Sequence, residues 1–139
     1  MTMLEIILVL ILFMGLVLSI FPSFFGWFRA SYLDAARYGY VNALRRAQYR
    51  AFSQDRESAW GVDITTSTIT LFRGTNFATR NTDFDETTDL SAVGSLSGPT
   101  RFIFQTFTGK PDTTGTTTIQ ATDGTSLNIS VNGYGRTDF

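Results

Sequence analysis

Cysteine and histidine are both absent from this chain of 139 residues. Their absence removes thiol nucleophiles, histidine general bases, zinc sites of the usual ligand types and any disulfide staple. No Ser/His/Asp or Cys/His set can form, no Gly-rich phosphate loop follows a strand, and no enzyme activity or cofactor is expected. A dominant charge is missing too. Lys and Arg number 11 against 12 Asp and Glu, a formal net charge of −1, so no strong overall field draws the molecule toward nucleic acid or an anionic membrane. No basic residue precedes Arg29. A secretory signal, with its basic start, short apolar core and small-residue cleavage site, is therefore not visible.

What the chain does have is a run from Met1 to Phe21, MTMLEIILVLILFMGLVLSIF, interrupted by the single charge of Glu5. About 20 residues rising roughly 1.5 Å each span about 30 Å, enough to cross a hydrocarbon layer as a helix. A carboxylate inside such a layer costs about 2.5–3.5 kcal/mol, which marks it as a functional residue in need of a partner. The α-amino group of Met1, with a free-chain pKa of roughly 7.7–8.0, is that partner most naturally when it comes from a neighbouring copy. The alternative is that Glu5 lies at the headgroup boundary and reaches water. Gly15 and Pro22 punctuate the same run, and a proline in a helical pattern removes one internal hydrogen bond and bends or opens the chain before it.

From Ser23 to about Ser53 the pattern is helical and amphipathic. Leu33, Ala36, Tyr40, Ala43, Leu44, Ala47 and Ala51 recur at three- and four-residue spacing and form one apolar stripe, and Gly39 is a weak point that does not end it. Joined to the first segment, this predicts a helix of about 50 residues, roughly 75–80 Å. Phe21, Phe24, Phe25, Trp27 and Phe28 read either as a membrane-interface belt or as knobs between packed helices. Arg45, Arg46 and Arg50 read as a solvated helix face, or as partners for Asp34, Asp55 and Glu57 of neighbours, in preference to a phosphate site.

After residues 54–59 the composition turns to Thr, Ser, Gly and Asn. Alternation predicts strands at Trp60–Thr65, Thr68–Arg73, Arg101–Phe107, Thr116–Thr122 and Thr125–Val131. Turns fall at Thr66-Ser67, Gly109-Lys110-Pro111 and Asp123-Gly124, and Asn132-Gly133 leads into a short C-terminal strand or tail. Gly74 to Pro99 reads as a long polar loop. The expected class is α+β: a long N-terminal α-helix laid against an antiparallel β-sheet head. Residues 1–28 form the hydrophobic transmembrane or filament-core helix and 29–139 the globular head, divided into the amphipathic helix 29–53 and a β-rich part 59–139.

The N-terminal pattern, with Glu5 in fifth place and a helix breaker near Pro22, resembles the type IV pilin and type II secretion pseudopilin superfamily. The stretches AWGVDITTSTITLFRG, RFIFQTFTGKPDTTGTTTIQAT and SLNISVNGYGR are similar to the head pattern of its GspH/FimT-like branch. The resemblance implies a pilin fold and a structural subunit of a type IV pilus-like extracellular filament. Identical copies would bundle their first helices, with Glu5 pairing to the Met1 amine of a neighbour and Gly15 and Pro22 as helix-break residues. It also implies a prepilin peptidase that removes a basic leader and N-methylates Met1. That leader resolves the conflict between Arg29, Arg37, Arg45, Arg46 and Arg50 and the positive-inside rule. The subunit would lie in the inner membrane before the pilus assembly machinery extracts it to the cell surface.

Two alternatives share these residues: a minor pseudopilin at the tip of a secretion pseudopilus, and a DNA-binding minor pilin of the FimT type. Some FimT-like proteins carry Gly-Arg-x-Arg near the C-terminus. Here Gly135 and Arg136 are followed by Thr137 and Asp138, so the second arginine is missing and DNA is the disfavoured partner. Asp83, Asp85, Glu86 and Asp89 could gather around calcium, but they lack EF-hand spacing and read as a solvated surface loop. Asn128-Ile129-Ser130 matches a glycosylation sequon inside an expected strand, and the threonines at 113–118 suit exposed strands or O-linked sugars.

Overall fold

The periodic stripe becomes one face of a helix. The computed structural model describes the backbone of residues 2–90 and 93–139, and the side chains of these residues except 20–31. Helix α1 spans Met3–Phe52. The chain divides into two compact units, Met1–Tyr32 and Leu33–Phe139. In the first, the described apolar side chains from Met3 to Leu18 face solvent. The expected membrane segment, residues 1–28, extends into 20–31, whose side chains lie outside the described residues. Among the described residues no helix is long and apolar enough to cross a membrane.

The second unit is α+β, with the helix packed on antiparallel sheets. Leu33, Ala36, Tyr40, Leu44, Ala47 and Ala51 are all buried, and Val41 joins them. Against them stand two four-stranded sheets where the sequence suggests one. Sheet A has the order β3-β2-β1-β5, from β1 (Trp60–Ile64), β2 (Thr68–Arg73), β3 (Asn81–Asp89) and β5 (Arg101–Phe104). Sheet B has the order β4-β6-β7-β8, from β4 (Val93–Ser97), β6 (Gly115–Ala121), β7 (Ser126–Val131) and β8 (Thr137–Asp138). All ladders are antiparallel. Trp60, Val62, Ile69, Leu71, Phe102 and Phe104 of sheet A share one core with Ile119, Ile129 and Val131 of sheet B and the helix stripe.

Sheet A is buried on its other face as well, which explains why every residue of β1 is buried. Ala59, Phe72 and Ile103 make a second small core there, and Phe77 packs on it, its ring edge-on to Phe72 with centroids 5.1 Å apart. Gly61 is required by this arrangement, because a Cβ on it would stand 2.4 Å from the Phe72 ring. The guanidinium carbons of Arg80 and Arg101 lie 3.7 and 4.6 Å from the Phe77 ring centroid, each a cation–π contact.

The expected loop Gly74–Pro99 needs correction: it holds β3 and β4. Asp, Asn and Glu are poor strand formers, so NTDFDETTD carries no local strand signal. Its pairing comes from outside, from the edge of β2 that β1 leaves free. The ladder is irregular there. Leu71 pairs with Glu86 and Arg73 with Asn81, so Phe72 alone faces residues 82–85. The third expected strand also stops early, at Phe104, since Gln105 N–H donates to Lys110 O at 2.9 Å and the chain turns back to bridge Phe104 with Pro111.

Helix and β1 are joined without glycine. Gln54, Arg56 and Glu57 hold φ of 60°, 56° and 51°, left-handed values that cost a non-glycine residue about 1–2 kcal/mol. Surrounding bonds impose them. The Trp60 indole donates to Asp55 O at 3.1 Å and Arg73 donates to Arg56 O at 3.1 Å.

Candidate functional site

Glu5 lies in the first turn of α1, in the company of exposed Met3, Leu4, Ile6 and Ile7. Thr2 precedes the helix, and its carbonyl accepts from Glu5 N–H at 3.0 Å and Ile6 N–H at 3.4 Å. The Glu5 carboxylate in turn accepts from Thr2 N–H at 3.4 Å. This is the back-reaching half of a capping box, satisfying one of the donors that a helix N-terminus leaves open. A carboxylate here also meets the positive end of the helix dipole. The Thr-Met-Leu-Glu spacing from Thr2 to Glu5 is the sequence signal for this cap. Met1, the expected partner and methylation site, lies outside the described residues.

Gly15 leaves the helix unbroken. The Ser19 hydroxyl donates to Gly15 O at 2.9 Å, a local bond that competes with regular helix pairing, and nothing lies within 4 Å of a Cβ built on Gly15. α1 also continues across position 22. The Pro22 ring itself, like Phe21, Phe24, Phe25, Trp27 and Phe28, lies outside the described side chains.

In the second unit two arginines of the cluster find a partner within their own copy. Arg46 and Arg50 each donate to Glu86, Arg50 at 2.6 Å, so the carboxylate is held at both oxygens. Burial pushes the Glu86 carboxyl up, but the hydrogen bonds and charges of Arg50 and Arg46 outweigh it and hold it below its ordinary value. Arg50 also stacks 4.6 Å from the Trp60 ring centroid and lies 3.9 Å from Asp55. Glu86 thus fastens the sheet-A edge strand to α1. Its neighbours divide in the same way: Asp85 pairs with Arg80 at 2.8 Å, while Asp83 and Asp89 are exposed. Among the described residues no group of acids gathers as a metal site.

The C-terminal turn is set by Asn132, whose side-chain oxygen accepts from the N–H groups of Tyr134 and Arg136, both at 3.0 Å. Gln48 of α1 donates to Tyr134 O at 2.8 Å and Gly109 O at 3.3 Å, which pins two loops to the helix. Gly135 has φ +79° and sits against the Gln48 amide. Arg136 pairs with Asp138 at 3.3 Å, so the one arginine of the shortened motif has its charge offset. Asn128 of the sequon accepts from the Thr118 hydroxyl at 2.8 Å within the β6–β7 ladder.

No family model, curated protein or solved structure matches this chain. Its chemistry is therefore read from these groups alone. The described residues present no nucleophile activated by a base and no cluster of metal ligands. They present a helix of exposed apolar side chains with one acid at its start, and a packed α+β unit whose charges are largely paired.

Proposed function

We propose that this protein is a structural subunit of a type IV pilus-like filament, held by a bundle of first helices and displaying the α+β unit as a pilin head. The observation that carries the reading is Glu5. It is the one acid in a described apolar stretch whose side chains, Met3 to Leu18, lie open to solvent in the single copy. An exposed apolar helix of that extent needs lipid or other copies of itself. Lipid suits its flanks but not its carboxylate, whereas a neighbour's N-terminal amine suits the carboxylate and leaves the apolar flanks to neighbouring helices.

The Thr2–Glu5 cap is compatible with this role. A long, exposed bond at 3.4 Å is weak, and an ammonium group gives a carboxylate a charge-assisted hydrogen bond roughly twice as strong as a neutral one. Neither the DNA-binding nor the tip-pseudopilin alternative gains a specific observation.

Electron microscopy of the full-length protein tests the proposal, which expects thin polymers of this one chain. Glu5→Gln is expected to keep the protein membrane-inserted, since removing the carboxylate lowers the insertion cost by about 2.5–3.5 kcal/mol. The α+β unit should melt as before while filaments are lost. Normal filaments from the variant would remove Glu5 from the assembly.

A further inference from the structure

Along the solvent side of α1 in the second unit, Tyr38, Asn42, Arg45, Tyr49 and Phe52 follow one another at alternating four- and three-residue steps. Such positions drift only about 20° per heptad and stay on one face. All are exposed, the three aromatic residues by 58%, 71% and 62%, and an open groove of about 750 Å³ runs beside Asn42, Arg45 and Tyr49. The polar members can all donate hydrogen bonds, through tyrosine hydroxyls, the asparagine amide and guanidinium N–H groups. Arg45 differs from its neighbours in charge. Arg46 and Arg50 are held by Glu86 and Arg37 stands 3.8 Å from Asp34, whereas Arg45 makes no ion pair among the described residues and lies 5.8 Å from the Phe139 ring centroid.

The complementary surface is β3. It is the outer strand of sheet A, and its exposed Asp83 and Asp89 make no ion pair among the described residues, Asp83 sharing only an open pocket with Arg50 and Arg56. Acids along a free edge oppose pairing with another strand, which leaves that edge suited to a cationic, donor-rich surface. We propose that the Tyr38–Phe52 stripe of one copy docks the acidic β3 edge of a second copy, the proposal resting on the reading of this chain as a polymer-forming subunit. Stripe against stripe would set Arg45 of one copy against Arg45 of the other, a like-charge contact. Stripe against β3 joins two different surfaces, and a heterologous contact of this kind propagates as an open series.

A chain without cysteine makes the test direct. Full-length Arg45→Cys is mixed under oxidising conditions with full-length Asp83→Cys or Asp89→Cys, and with Lys110→Cys as a control elsewhere on the surface. The expected result is disulfide-linked heterodimer well above the level of either variant alone or of the control mixture. Arg45→Glu should lower self-association about fivefold, the upper range for an exposed charge pair, and a partner carrying Asp83→Arg and Asp89→Arg should restore it. Arg45→Cys linking to itself as readily as to Asp83→Cys overturns the proposal. So do filaments with no linkage above control, which leave the filament reading standing. Linked pairs without filaments support the contact and overturn the filament reading, and a chain that never self-associates overturns both.

Discussion

At the scale of single residues, Glu86 shows how little a charge pattern says about its own partners. The three arginines at 45, 46 and 50 look equivalent in sequence, yet two share one carboxylate from a strand 36 to 40 residues away and the third has none among the described residues. The Glu86 carboxyl is held below its ordinary 4.5. A group with a depressed folded-state pKa stabilises the fold above its unfolded value, and that contribution disappears as pH falls through the folded value. Thermal melts of Glu86→Gln and the parent protein should therefore differ at pH 7 and converge as pH falls below the ordinary 4.5 and through the lower folded-state value. The side chain is 41% exposed, so solvent screening limits the difference to about 0.5 kcal/mol. A difference that persisted at low pH would show that Glu86 acts through packing.

At the scale of elements, the tightest fit lies between β1 and β2. Gly61→Ala puts a methyl against the Phe72 ring, and overpacking of this kind typically costs about 1–3 kcal/mol; denaturant titration should show a lower midpoint with an unchanged slope. The helix stripe, strands β1, β2, β5, β6 and β7 and most turns were legible because each carries its own periodicity: Leu33 to Ala51 at helical steps, Trp60, Val62 and Ile64 at alternate positions. β3 was not, since its pairing is supplied by β2 and its residues favour neither face. The second core under Phe77 was equally hidden. Phe77 stands alone among polar residues, and only the fold brings Phe72, Ile103, Arg80 and Arg101 around it. Of the candidate site, Glu5 was legible as an isolated charge, whereas its bond to Thr2 depends on the helix starting at Met3.

At the scale of the whole molecule, the division at Tyr32 and Leu33 falls where the buried stripe of the described residues starts, at Leu33. A fragment beginning at Arg29 keeps every described residue of the shared core and discards the exposed apolar run from Met3 to Leu18. It should be a folded domain with mixed helix and sheet by circular dichroism, should melt cooperatively and should form no filaments. An unfolded fragment would mean that the first unit contributes to folding. A polymerising one would mean that assembly belongs to the second.

The route by which α1 enters the sheet has a mechanical consequence. The helix leads through Gln54–Glu57 into β1, and β1 is an inner strand, bonded to β2 on one side and β5 on the other. A pull applied along α1 therefore reaches sheet A at a strand that two ladders hold at once, so freeing it requires both to rupture. Glu86, bound to Arg46 and Arg50, gives the load a parallel path from the helix to β3 that bypasses the left-handed joint. Tension is spread over β1, its two neighbours and β3 before any one of them must yield.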